Sequence, residues 1–334
     1  MRRAAAVVLL VALAGCRSTH AHTHRSGAIA LRPLPSQGLI DERRSGIALR
    51  DLRGRRLVWL PGFAVYPREP SAQVSAEYEL SSGLPEPLLH GPHGWYRLDA
   101  ARHTLLPVRG RRLPLAGGAV VVARRGEKFT VERSGRVVLR GSGPTFRILS
   151  QRLVQSGRTL LDVETAKRRE LPPGCLFAGF RGPTLILACG VAHGAEGVAP
   201  LVFERMLPGG TTRRLAPPLA ELIPEAASLS PDRTWVAVEG DTGCAGRWVY
   251  VAPARGGTAR IVYGRSPRNP FAANFSNLLG WSADGRLVVL FEPPYCDEPY
   301  GPQHPPSGVY LVDPRTLART RVTKTAVAMW NPAP

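Results

Sequence analysis

The chain has 334 residues, 44% of them hydrophobic, with 35 glycines, 32 prolines and a formal net charge of +19. The apolar content is enough for a core, and the glycines and prolines are scattered between apolar runs, which excludes a disordered or collagen-like chain. Only Lys128, Lys167 and Lys324 among the 44 basic residues are lysines, and the arginines are spread along the sequence, a strong positive field without a concentrated nucleic-acid footprint.

The N-terminus opens on Met1-Arg2-Arg3 and runs uncharged through AAAVVLLVALAG to Cys16, the basic, apolar, small-residue order of an export signal. Residues 4–15 fall short of the about 20 apolar residues a membrane span needs, so a cleaved signal over residues 1–15 is expected. The segment Leu13-Ala14-Gly15-Cys16 resembles the lipobox of bacterial lipoproteins. That resemblance implies that Cys16 carries acyl chains such as palmitate as the first residue of the mature chain. Each buried methylene of such an anchor contributes about 0.8 kcal/mol. The other reading is an ordinary secretory signal with a chance cysteine. Residues 16–37 read as a lipidated, flexible tether. Within it His20, His22 and His24 alternate with small residues and could ligate Cu²⁺, Zn²⁺ or Ni²⁺ if the chain wrapped one ion, a plain polar linker being the alternative.

From residue 38 onward the apolar clusters are short, rich in Val and Leu, and bounded by Gly, Pro, Asp or Arg-Gly turns, which is the strand signature. In chain order they are RRLVWLPGF (55–63), GGAVVVARRG (117–126), RVVLRG (136–141), PTLILAC (183–189), TWVAVEG (234–240), RWVYVAP (247–253), RLVVLFE (286–292) and GVYLVDP (308–314). Residues 219–223, LAELI, could form one helical turn. The expected class is all-β.

Two stretches repeat. Ser230-Pro231-Asp232-Arg233 precedes TWVAVEG, a loop and RWVYVAPARGGTARIV; Trp281-Ser282-Ala283-Asp284-Gly285-Arg286 precedes LVVLFE, a longer loop and GVYLVDPRTLARTRVT. Each is a turn, strand, loop, strand, turn and strand, the content of one four-stranded blade. WSADGR at 281–286 and LSPDR at 229–233 resemble the blade signature of the TolB-like and WD-repeat-like β-propellers. The resemblance covers roughly residues 226–325; upstream units near 44–63, 95–115, 117–141, 146–171 and 176–215 keep the rhythm without the signature. It implies a propeller with protein partners.

The C-terminal Ala328-Met329-Trp330 has the look of the opening of a blade that stops short, so the ring is expected to close by pairing with the N-terminal SGIALRDLRGRRLVWLPGF. At about 48 residues per blade, residues 38–334 form a single propeller of six blades, with seven as the alternative. Cys175, Cys189, Cys244 and Cys296 allow three disulfide pairings in an oxidising compartment, and none sits in a CxxC pair of the kind zinc prefers. Cys175 and Cys189 flank a hairpin and are expected to pair locally. Cys244 and Cys296 fall in the same inter-strand loop of successive blades and would bridge them, four free thiols being the alternative.

No GxSxG elbow, HExxH helix, P-loop or GxGxxG turn appears, which removes the commonest enzymatic signatures. The most distinctive loop, residues 293–304, offers Tyr295, Asp297, Glu298, Tyr300 and His304 as an aromatic contact surface or a cation site, against a proline-stiffened turn as the plain alternative. His90 and His93 in HGPHGW, and Glu239 and Asp241 near Asp297, are the remaining polar groupings; the histidines are more simply solvent-facing loop residues. The reading is a lipid-anchored, extracytoplasmic β-propeller, a monomer on the cell membrane or outer membrane. It binds or scaffolds an envelope protein or cell-wall component, without a cofactor and without nucleic acid. The second reading is an envelope hydrolase or lyase acting in the propeller channel, and the third a metal-binding lipoprotein using the histidine tract.

Overall fold

A computed structural model describes residues 27–65, 88–108, 112–124, 128–142, 146–190, 192–193, 197–198, 202–216, 223–241, 247–262, 264–266, 269–292, 306–326 and 328–330. Among them the chain forms strands and one 3-10 turn at Ala116–Gly118. The predicted runs at 117–126, 136–141, 183–189, 234–240, 286–292 and 308–314 appear as Ala119–Ala123, Arg136–Ser142, Thr184–Cys189, Trp235–Asp241, Leu287–Glu292 and Gly308–Val312. Ile223, the last residue of the helical turn considered at 219–223, opens a strand; residues 219–222 lie outside the described residues.

Seven antiparallel sheets succeed one another as the blades of a β-propeller. Blade 1 takes its inner strand from the far end of the chain: Ala328–Trp330 lies beside Gly38–Arg43, with Gly46–Arg50 and Arg56–Pro61 outside them. Blade 2 contains Leu89–Gly91, Gly94–Asp99 and Thr104–Val108, with Ala64 bridged to His90 on its inner side and Ile29–Ala30 added outside. Blade 3 is Arg112–Pro114, Ala119–Ala123, Lys128–Arg133 and Arg136–Ser142. Blade 4 is Phe146–Ile148, Leu153–Ser156, Thr159–Asp162 and Arg168–Glu170. Blade 5 is Cys175–Arg181, Thr184–Cys189, Val202–Met206 and Thr212–Arg214. Blade 6 is Ile223–Leu229, Trp235–Asp241, Arg247–Pro253 and Arg260–Val262. Blade 7 is Asn269–Trp281, Leu287–Glu292, Gly308–Val312 and Arg319–Thr323, with Gly264–Ser266 paired to the start of its long inner strand. The count is the larger of the two the spacing allowed. Blades 6 and 7 set that spacing and have long connections; blade 4 fits into residues 146–170 because its second and third strands join through a tight turn at Gly157, held at φ 54°.

The ring closes as the chain ends suggested. Gly38 pairs with Trp330, Leu39 with Met329 and Ile40 with Ala328. Only glycine fits at residue 38: a Cβ there would run into the Trp330 ring and the Arg50 carbonyl. Behind the seam the fully buried Asp41 receives Arg50 Nε at 2.7 Å and Arg43 Nη2 at 2.9 Å on one oxygen, and the Thr325 hydroxyl at 2.8 Å on the other. Thr325 leads into the inner strand of blade 1, so this ion cluster ties the two ends of the chain together.

The tether expected through residue 37 ends earlier. Ile29–Ala30 forms the fourth, outermost strand of the blade 2 sheet, and residues 31–37 then cross one face of the ring. The Leu31 and Leu34 amides donate to the His103 carbonyl and Nδ1 at 2.7 and 3.1 Å. The Gln37 side chain donates to the Trp281 carbonyl and accepts from the Ala283 amide of blade 7. The cause is apolar: Leu34 is buried, and Ile29 and Leu31 pack on the cluster shared by blades 1 and 2. One strap thus touches blades 2, 1 and 7.

Apolar side chains alternate along the strands and meet between blades. One cluster joins blades 1 and 2, a larger one runs through blades 2, 3 and 4, and others fill the 4–5, 5–6, 6–7 and 7–1 interfaces. No blade covers its own apolar faces, so the ring must close to bury them all. The signature turns have a plain physical basis. Ser230 donates to Asp232 at 2.6 Å and accepts from the amides of Thr234 and Trp235, while Arg233 adopts φ 58°. Ser282 and Asp284 repeat the arrangement, with Gly285 at φ 78° and Arg286 Nε donating to Asp284 at 2.8 Å. Burial opposes ionisation of Asp232, but hydrogen bonds from Ser230 and Thr234 outweigh it and hold the carboxyl below the usual range.

The outer strands share another trait. RLVWLP of blade 1, RVVLRGS of blade 3, RRE of blade 4, TRR of blade 5, RIV of blade 6 and RTRVT of blade 7 carry ten arginines, all exposed, against one carboxylate, Glu170.

Candidate functional site

The second-to-third and fourth-to-first connections leave the blades on one face, and the signature turns and the strap occupy the other. The first face carries two small added hairpins, Ala192–His193 with Gly197–Val198 in blade 5 and Gly264–Ser266 with the start of the blade 7 inner strand. There too Cys175 opens the inner strand of blade 5 and Cys189 ends the second strand, directly opposite in register and joined by a disulfide with an S–S distance of 2.01 Å. The local pairing expected of these two cysteines is therefore present. Cys189 Sγ lies 3.9 Å from Glu204 Oε2. Among the described residues, Cys175, Cys189 and Glu204 are the one group of potential metal-ligating side chains close enough to share an ion, within 4.8 Å, and the disulfide occupies both sulfurs.

Toward the axis the inner strands bring charged groups together. Arg147 sits between Phe146 and Ile148, which are buried in the core, and shares a side of its sheet with Gln155, its register partner. Desolvation draws the Arg147 guanidinium below its ordinary value, and the carboxylates of Glu225 and Glu239 on blade 6 draw it back up. A cation held in this way in low dielectric attracts an anion more strongly than one in water, and the two glutamates supply that counter-charge within the protein.

The same polar residues bind the blades to one another. Gln155 of blade 4 donates to the Cys175 carbonyl at 3.0 Å and accepts from the Phe177 amide at 3.1 Å, beside the bulge between Phe177 and Gly179. The buried Glu239 of blade 6 accepts from the Leu278 amide of blade 7 at 2.6 Å, beside the bulge between Leu278 and Gly280. A bulge leaves an amide without its ladder partner, and the neighbouring blade fills the vacancy with a side-chain oxygen. Nearby, Asn277 donates to Glu292 at 2.8 Å, and the buried Ser276 hydroxyl accepts from the Val249 amide.

Glu239 thus reaches blade 7 and acts electrostatically on Arg147, a setting the sequence did not indicate, while for Asp241 only the backbone is described. His90 is half-buried edge-on against Trp95, with ring centroids 5.1 Å apart, and burial lowers its pKa; His93 is exposed in the adjacent turn. Tyr295, Asp297, Glu298, Tyr300, His304, Cys244 and Cys296 lie outside the described residues, as do Cys16, His20, His22 and His24. The described strands beside that loop end at Glu292 and resume at Gly308, where the Tyr310 hydroxyl donates to the Pro306 carbonyl at 2.7 Å. Sequence reasoning missed Arg147, Glu225 and Gln155. The one available signal was a charged residue between two apolar ones in a short strand, at Phe146-Arg147-Ile148.

No protein-family model matches the chain, and no curated protein does. Solved structures do. TolB of Agrobacterium tumefaciens is 21% identical over 48% of this chain and 50% of its own, with a TM-score of 0.29. Oligopeptidase B of Leishmania major is 12% identical over 90% of this chain and 50% of its own, with a TM-score of 0.43. An oligogalacturonate lyase of Vibrio parahaemolyticus is 12% identical over 88% of this chain and 85% of its own, with a TM-score of 0.41. The likeness is one of fold. The chain spans half the length of TolB and of oligopeptidase B, and a propeller shared by a peptidase, a lyase and TolB carries no single activity with it.

Proposed function

We propose that the protein is a lipid-anchored, extracytoplasmic binding or scaffolding module, held to the cell membrane or outer membrane by acylation at Cys16, with the hairpin-bearing face as its contact surface. The observation that carries this reading is the asymmetry of the two faces. One carries short hydrogen-bonded turns and the strap over residues 31–37; the other presents the added hairpins and the Cys175–Cys189 bridge. Projections on a rigid frame are the usual site of recognition.

The polar groups of the axis support binding over catalysis. His103 accepts from the Leu34 amide, and His90 lies edge-on against Trp95. The charges of Glu225 and Glu239 offset that of the Arg147 guanidinium, and Glu239 also holds the Leu278 amide, which gives these groups structural work between blades.

Two experiments test the reading. Cys16→Ser should move the protein from the membrane fraction to the soluble extracytoplasmic fraction; retention on the membrane would remove the anchor. Crosslinking in the native envelope should recover partners with the wild-type chain that a variant lacking residues 293–304 loses, and equal recovery by both would remove this face as the contact surface.

A further inference from the structure

The outer edge of the ring is charged with one sign. Its ten exposed arginines face one carboxylate, whereas the whole chain has 44 basic and 25 acidic residues, fewer than two to one. Among the described residues none of these ten arginines is in an ion pair, while arginines in and near the turns are paired, as in Arg55 with Asp51, Arg152 with Asp162 and Arg286 with Asp284. Protection of exposed strand edges explains charge of either sign there. It does not explain this bias.

We propose that the rim binds an acidic polysaccharide. The arginines recur on the outer strands of six of the seven blades. A convex ring of that kind meets a flat membrane along one sector only, but a flexible polyanion can follow the curve and engage several blades in turn. Arginine suits the role because its planar fork takes a carboxylate or sulfate through two parallel hydrogen bonds. Single-stranded nucleic acid is the other flexible polyanion, and its sites interleave basic residues with stacking aromatics. Among the described residues the outer strands expose one large aromatic, Trp59. This surface is separate from the hairpin-bearing face proposed above.

The test uses the full-length protein in detergent and fluorescent alginate as the probe, with uncharged dextran, phosphatidylglycerol vesicles and single-stranded DNA as comparison ligands. Alginate should bind at about 50 mM salt and weaken markedly at about 300 mM, as screening of surface charge demands, and dextran should not bind. Reversing Arg168, Arg169, Arg213 and Arg214 to Glu keeps the edges charged and should weaken alginate binding by about tenfold or more, whereas Lys at the same four positions should retain most of it. Circular dichroism and the urea midpoint identify a variant that fails to fold, and the Lys variant then decides. Absence of alginate binding at low salt, wild-type affinity in the Glu variant, or tighter binding of vesicles or DNA than of alginate would each overturn the proposal. Removal of residues 293–304 should leave alginate binding unchanged, which separates failure here from failure of the contact face.

Discussion

The seam that closes the ring can be weighed through Gly38 and Trp330. Trp330 is fully buried at the junction of blades 1 and 2, and its indole Nε1 donates to the Pro35 carbonyl at 3.3 Å. Trp330→Ala removes a large buried ring and should cost about 3–5 kcal/mol. Gly38→Ala forces a methyl against that ring and against the Arg50 carbonyl, an overpacking that should cost about 1–3 kcal/mol. The informative quantity is their coupling. With the indole absent, the alanine at residue 38 loses one of its two clashes, so the double variant should be only slightly less stable than Trp330→Ala alone. The interaction energy should then offset about 1–2 kcal/mol of the summed costs, well beyond the scatter of independent sites. Urea unfolding of the four proteins, followed by circular dichroism and by intrinsic fluorescence to check for a single transition, measures it. Additivity within about 0.5 kcal/mol would refute the packing of Trp330 on Gly38 and with it this register of ring closure.

Replacing Cys175 and Cys189 by Ala, or reducing the wild type, should lower stability by about 3 kcal/mol, since the bridge closes a loop with a sequence separation of 14; a thermal midpoint indifferent to reductant would contradict the pairing. Asp41→Ala removes the carboxylate that receives Arg43, Arg50 and Thr325. It should cost about 3–5 kcal/mol by leaving a partly buried guanidinium uncompensated, and a urea midpoint like that of the wild type would show that the cluster contributes nothing. For Asp284, burial opposes ionisation, but Arg286 and Ser282 hold the pKa below its ordinary value. The stabilisation is therefore present above the unfolded value of about 4 and is lost as pH falls through the lower folded value. The gap in urea midpoint between wild type and Asp284→Asn should be wide at neutral pH and close in acid, and a gap that is constant across pH would oppose this account.

What the sequence made legible follows from where the physics is local. The turns at 230–233 and 281–286 announce themselves because a serine, an aspartate and a residue at positive φ are all needed within five positions. The strands were visible because Val and Leu alternate toward the gaps between blades. The Cys175–Cys189 bridge followed from a hairpin that puts the two residues opposite each other. Even the seam was readable, since Ala328-Met329-Trp330 resembles the opening of a blade and pairs with Gly38–Ile40 as an inner strand should.

The features that escaped are those in which one residue acts on a blade other than its own. Residues 29–37 read as a tether because two paired residues and a few scattered leucines have no period, yet Gln37 reaches the signature turn of blade 7 across 246 positions of sequence. Glu239 stood out in the sequence only as a carboxylate grouped with Asp241 and Asp297; the Leu278 amide it holds and the Arg147 charge it offsets belong to blades 7 and 4, and only the closed ring brings them together. Arg147 was hidden for the same reason. A propeller therefore separates two kinds of information: each blade's local turns and alternation are written within about 50 residues, whereas the polar links between blades are written by whichever residue the ring places beside an unpaired amide or an uncompensated charge. Substitutions at Gln155 or Glu239 should for that reason loosen contacts between blades before they disturb any blade internally. Hydrogen exchange can detect this, as early loss of protection at the Phe177 or Leu278 amide while the second and third strands of the same blade remain protected.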